Sequence, residues 1–159
     1  MNYTLSLCFK IKKMTFYSIN SIDVSSEYFE SEVLAINLKT GNYFSLRGTA
    51  FVFWKLITEG NSLETSITKI CTHFQMEKEK ATQLFEGFLN ELIINELIIK
   101  SETNTETTIN EWLDVFSKEF NEPLLECYTD MQDLLLFDPI HDVDTQVGWP
   151  KKAEDDSTK

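Results

Sequence analysis

The chain has 159 residues, 42% of them hydrophobic and 13% aromatic, enough for one modest domain with a real core and some chain left over. Its net charge of −12 is uneven: residues 1–100 hold ten Lys/Arg against eleven Asp/Glu, and residues 101–159 hold four against fifteen. An acidic appendage of this kind is repelled by phosphate backbones and anionic lipid, which argues against nucleic acid and membrane surfaces as partners.

The opening stretch, MNYTLSLCFKIKKM, has a short apolar run whose lysines follow rather than precede it. It does not read as a signal peptide, and no run approaches the ~20 apolar residues of a membrane span. Met14 is a second candidate start. The three cysteines, Cys8, Cys71 and Cys127, lie far apart with no CxxC, which points to buried free thiols in a reducing, cytoplasmic setting.

Residues 16–29 are β-branched and aromatic and predict one strand. In Glu32–Leu46, Leu34, Ile36 and Leu38 alternate with Val33, Ala35 and Asn37, a period of two that predicts a strand. Lys39-Thr40-Gly41-Asn42 is a turn, and Tyr43–Leu46 the return strand of a hairpin, with Phe44 and Leu46 on one face and Tyr43 and Ser45 on the other. Thr49 is a candidate cap for a first helix carrying Ala50, Phe53, Trp54 and Ile57, with Gly60 as its stop. Ser62 caps a second helix with Leu63, Ile67, Ile70 and Phe74 on one face. Ala81, Leu84, Phe85, Phe88 and Leu92 form the stripe of a third, ending near Asn95, and Leu97–Ile99 predicts a short extended return. Strands followed by three short helices give an α+β class, a small winged helix-turn-helix over residues 16–100.

Residues 101–108 are polar and linker-like. Thr108 and Glu111 have capping-box spacing, and Ile109, Trp112, Leu113, Phe116 and Phe120 predict an amphipathic helix over 109–120. The acidic tail 121–159 follows, with large apolar residues that disordered tails seldom carry. Leu124, Leu125, Tyr128, Met131, Leu134 and Leu135 fit helical spacing, which favours a further helix.

The run LAINLKTGNYFSLRGTAFVFWKLI, then two helices and FLNELIINELI, resembles the pyrroloquinoline quinone biosynthesis protein D family over roughly Ile22–Ile99. That family is a version of the element that recognises leader peptides of ribosomally made, post-translationally modified peptides. Arg47-Gly48 departs from the family, whose members usually carry Asn ahead of the Thr. The resemblance implies a non-enzymatic peptide-binding chaperone without a cofactor. Its partners would be the leader of a modified precursor peptide and a peptide-modifying enzyme. A leader would add as a strand to the sheet edge at Tyr43, Phe44 and Ser45, in a cleft beside the third helix, with Phe85 and Phe88 as candidate lining residues. For both phenylalanines the alternative is a core role.

The resemblance also bears on the tail. Phe120-Asn121-Glu122-Pro123-Leu124-Leu125 resembles the start of a lasso-type leader: aromatic, two residues, Pro, one residue, Leu. Here Phe120, Pro123 and Leu125 would be the leader-like residues, and Thr129 replaces the usual Gly. Three readings stand open: a self-docking leader or fused substrate, a docking segment for an enzyme, or a structural extension. A tail reaching a neighbour would make an exchanged homodimer.

The cluster Asp138, His141, Asp142, Asp144 fits no metal loop and reads as a solvated acidic run. No catalytic motif is present, and Cys71 near His73 reads as a core thiol. A winged-helix DNA-binding regulator is the alternative from another class, opposed by Glu77, Glu79, Glu86 and Glu91 around Lys78 and Lys80. A generic interaction adaptor is a second alternative.

Overall fold

The computed structural model describes residues 14–101 and 111–129. The sequence-based expectations for Met1 as the start, Cys8, the linker, Thr108, Ile109, and everything beyond Thr129, including the acidic cluster and Trp149, lie outside them.

The α+β winged-helix expectation holds. The elements run β1 (Phe16–Ile19), β2 (Val24–Tyr28), β3 (Glu32–Asn37), β4 (Tyr43–Arg47), α1 (Thr49–Thr58), α2 (Leu63–Phe74), α3 (Lys78–Ile94), β5 (Ile98–Ser101), α4 (Glu111–Val115) and β6 (Glu126–Tyr128). Residues 16–29 form two strands, not one. β1 pairs with β5 in a two-stranded sheet, and β2 joins β3, β4 and β6 in a four-stranded sheet of order β2-β3-β4-β6. The break between β1 and β2 is fixed by Asn20, whose N–H donates to the Leu97 carbonyl (3.0 Å) and whose amide side chain bonds Asp23 and the Glu96 carbonyl. One strand could not serve two separate sheets and satisfy these groups.

The β3–β4 hairpin is antiparallel, with Leu34 opposite Ser45 and Ala35 opposite Phe44. Its turn is held by Asn37, buried at the end of β3. The Asn37 carbonyl oxygen of the side chain accepts from the N–H groups of Lys39 and Thr40, and its NH2 donates to the Asn95 carbonyl, tying the hairpin to the end of α3. Gly41 supplies the positive φ (74°) the turn requires. Val33, Ala35, Phe44 and Leu46 point into the core, and the alternate residues Leu34 and Leu38 stay exposed.

α1 packs on β4 and β1, α2 packs on α1 and α3, and α3 reaches β5, so the helices close one core with the strands. Trp54, Phe53 and Leu56 of α1, Ile70 of α2 and Leu92 of α3 are fully buried there. Ser62 caps α2 as expected, its side chain accepting from the Thr65 N–H (3.1 Å). Thr49 does not cap α1. Gly48 occupies the N-cap position at φ 56°, ψ −125°, and makes no side-chain cap because it has none. The Thr49 hydroxyl instead accepts from the Asn121 N–H at 3.1 Å, so the tail takes the group assigned to the helix.

Candidate peptide-binding edge

β4 is an inner strand only because the tail makes it one. β6 pairs with it antiparallel, Tyr43 opposite Tyr128, Phe44 opposite Cys127 and Ser45 opposite Glu126. Without β6, β4 would present a row of unpaired N–H and C=O groups, the feature that invites strand addition. The edge therefore takes an extended peptide, and residues of the same chain supply it.

The approach to this edge begins 15 residues earlier. The sequence predicts a helix to Phe120, but among the described residues the helix spans Glu111–Val115. The chain then runs without helix or strand to Leu125. The aromatic side chains explain the change, because their partners lie on different elements. Phe116 stacks on Phe51 of α1 (5.1 Å between centroids, planes 5° apart), and Phe120 meets Phe74 of α2 edge-on at 5.6 Å. Leu113, 8% exposed, is the one fully seated aliphatic residue among the described residues of this arm. Trp112 lies under Lys55 (Nζ 4.4 Å from the ring centroid) and donates its indole N–H to Glu59 Oε2 at 2.8 Å. The Ser117 carbonyl is 3.0 Å from His73 Nε2, which places a proton on that nitrogen. Pro123 then disfavours helix for the residue before it and delivers an extended backbone to β6.

The two faces of the docked strand differ. Tyr128 and Glu126 stand on the outer face beside Tyr43 and Ser45, following the pleat. Tyr128 stacks on Tyr43, and its hydroxyl reaches Glu126 Oε2 at 3.4 Å. The Ser45 hydroxyl donates to Glu32 Oε1 at 2.7 Å, and the same oxygen accepts from Arg47 Nη2 at 2.8 Å. These two bonds, Arg47 first, hold the Glu32 carboxyl below the usual carboxylate range. Beside this strip the outer face has a shallow apolar depression of about 280 Å³, lined by Phe29, Leu34, Ile36 and Tyr43 among others.

The candidate residues thus separate into groups. Tyr43, Phe44 and Ser45 form the edge itself. Phe44 contributes backbone only, since its ring is sealed in the core. Phe120 and Leu125 of the leader-like run pack against the core cluster, with Lys80 Nζ 5.6 Å from the Phe120 ring, and Pro123 is half-buried between them. Phe85 and Phe88 are 1% and 3% exposed and meet Phe53 edge-on at 5.1 and 5.8 Å, so both are core side chains rather than an open cleft lining. The helical spacing of Leu124, Leu125 and Tyr128 is not used, because Tyr128 lies in β6. Cys127 is exposed rather than buried, and desolvation raises its thiol pKa; Cys71 is half-buried against the core.

Sequence reasoning missed the arm's cradle of Phe51, Lys55, Glu59 and His73. A helix face with an unpartnered aromatic, Phe51, was the available signal. Among the described residues there is no group of three or more His, Cys, Asp or Glu placed to hold a metal ion, and no helix is long and apolar enough to cross a membrane.

Residues 32–98 match the family described as coenzyme PQQ synthesis protein D (PqqD). No curated protein matches the chain. A solved structure of TbiB1 in complex with the TbiA(beta) leader peptide is 28% identical, with a TM-score of 0.49, over 51% of this chain and 93% of that one.

Proposed function

We propose that the domain around residues 32–98, which match the PqqD family, is a non-enzymatic module that binds a leader peptide by strand addition to β4. Its resting ligand is its own tail. Residues 120–128 carry the leader-like run and end in the strand that fills the edge. The tail beyond is thereby delivered to a peptide-modifying enzyme as a leader delivers its precursor. The observation that carries this reading is the register of β6 on Tyr43–Ser45, in the strand where the family resemblance expects a leader.

Tethering explains how three paired residues suffice. A covalently attached segment acts at an effective concentration of order millimolar, so weak intrinsic affinity gives high occupancy. The same contacts made between two copies would give a tail-exchanged dimer, and sedimentation over a range of concentrations separates the two arrangements. A DNA-binding role is disfavoured because Lys80, one of two lysines opening α3, is held over Phe120.

The test is to cut the chain after Ser101 and titrate it with a separate peptide of residues 111–129. Saturable binding that perturbs Tyr43–Arg47 supports the reading. Equal binding of a sequence-scrambled peptide, or no binding to a folded domain, overturns it.

A further inference from the structure

Arg47 stands where the resemblance leads one to expect Asn, and its side chain is on the outer face at the end of β4. It lies opposite Glu32 in the β3–β4 register and two residues beyond Ser45, which faces Glu126. Arg47 is therefore diagonal to Glu126 across the β4–β6 pair, a separation that long side chains span. Its side chain is 64% exposed, and its guanidinium is oriented by the 2.8 Å bond to Glu32. After Glu32, the charge that favours its ionised form is that of Glu126, on the docked strand. Two residues along the same face, Tyr43 offers a ring that stacks on Tyr128.

We propose that Arg47 and Tyr43 set the sequence preference of this edge, selecting a strand that carries an acidic residue two positions before an aromatic on its outer face. Arg47 reads the acidic side chain, and Tyr43 reads the ring. Glu32 and Ser45 are positioning residues: they hold the guanidinium over the edge while the backbone ladder supplies affinity indifferent to sequence. The ligand class is an extended acidic peptide of the form Glu-x-Tyr, as in Glu126-Cys127-Tyr128. This rests on β4 being the peptide site.

The experiment is a charge exchange in the full-length chain, read by amide hydrogen exchange at Tyr43–Ser45 and Glu126–Tyr128. Arg47→Glu and Glu126→Arg are each expected to speed exchange of the β4–β6 amides about two- to fivefold, the range of an exposed ion pair. The combined variant is expected to return them to near the parent rate. Amides between β3 and β4 serve as the internal control, since Arg47→Glu also places a carboxylate beside Glu32. If Glu126→Arg changes nothing, or the combined variant fails to recover, Arg47 does not read the peptide and the inference is overturned while β4 remains the site. If the β4–β6 amides are unprotected in the parent chain, the site and the inference fall together.

Discussion

Tyr128 lies on Tyr43 with ring centroids 4.9 Å apart and planes 14° from parallel. The two rings belong to segments 85 positions apart in sequence and face each other because their backbones pair. The stack is thus a reporter of the docked state. Mutating both tyrosines to Ala, singly and together, should give a coupling of about 0.5–1.5 kcal/mol. The low end is expected, since Tyr128 remains 39% exposed. Additive effects of the two changes would show that the rings do not meet.

The arm should be held more firmly than the strand. Leu113→Ala removes a fully seated aliphatic side chain of the arm, at about 2 kcal/mol, the low end for large-to-small changes. That corresponds to a roughly 30-fold larger population of released arm. The Asn121 N–H, which bonds Thr49, should exchange faster to match. Unchanged exchange there would mean that Leu113 does not anchor the tail.

Gly48 is the hinge between β4 and α1. An added Cβ would lie 3.9 Å from Asn121 Nδ2, an ordinary contact, so space is not the obstacle. The backbone is: φ 56° with ψ −125° belongs to glycine. Gly48→Ala should cost about 1–3 kcal/mol in denaturant unfolding. A neutral substitution would show that this turn adopts a different conformation.

Acid should loosen the outer face of the sheet. Glu32 has a lowered pKa in the folded chain because it accepts bonds from Arg47 and Ser45. A carboxyl lowered on folding contributes stability that is present above its unfolded pKa, near 4.5, and is lost as pH falls through the folded value. Thermal stability should therefore drop below about pH 4.5, and Glu32→Gln should flatten part of that drop. At the alkaline end Lys39, raised by Glu96, contributes stability present below its unfolded pKa and lost as pH rises through the folded value. An acid profile identical in Glu32→Gln and parent would contradict the Glu32 assignment.

Core and site should be separable by mutation. Phe85→Ala opens a cavity against Phe53 and should cost about 3–5 kcal/mol of global stability. Tyr43→Ala should leave global unfolding nearly unchanged while freeing β6. If Phe85→Ala altered tail docking without lowering stability, Phe85 would be a site residue after all.

Much of this was legible in the sequence because the signals were local. The hairpin announced itself through period-two alternation around Lys39–Asn42, and α2 through Ser62 and its apolar stripe. What was not legible depended on partners distant in sequence. β1 reads as one strand with β2 until β5, nearly 80 residues on, claims it. The helix expected to Phe120 stops at Val115 because Phe51 and Phe74 pull Phe116 and Phe120 to different helices. β6 has three residues and no alternation to detect, and helical spacing competed for the same side chains. The leader-like run was visible in Phe120, Pro123 and Leu125; the register that follows it was not.

The central claim is that Glu126–Tyr128 pairs with Tyr43–Ser45, and inter-strand proton contacts in the full-length chain test it most directly. In an antiparallel pair, close α-proton contacts occur at alternate positions. They should appear either at Phe44/Cys127 or at the flanking pairs Tyr43/Tyr128 and Ser45/Glu126. Their presence at the strength of the β3–β4 contacts is the expected result. Strong β3–β4 contacts with none from β4 to Glu126–Tyr128 would mean that the edge is open, and the tail is not its ligand.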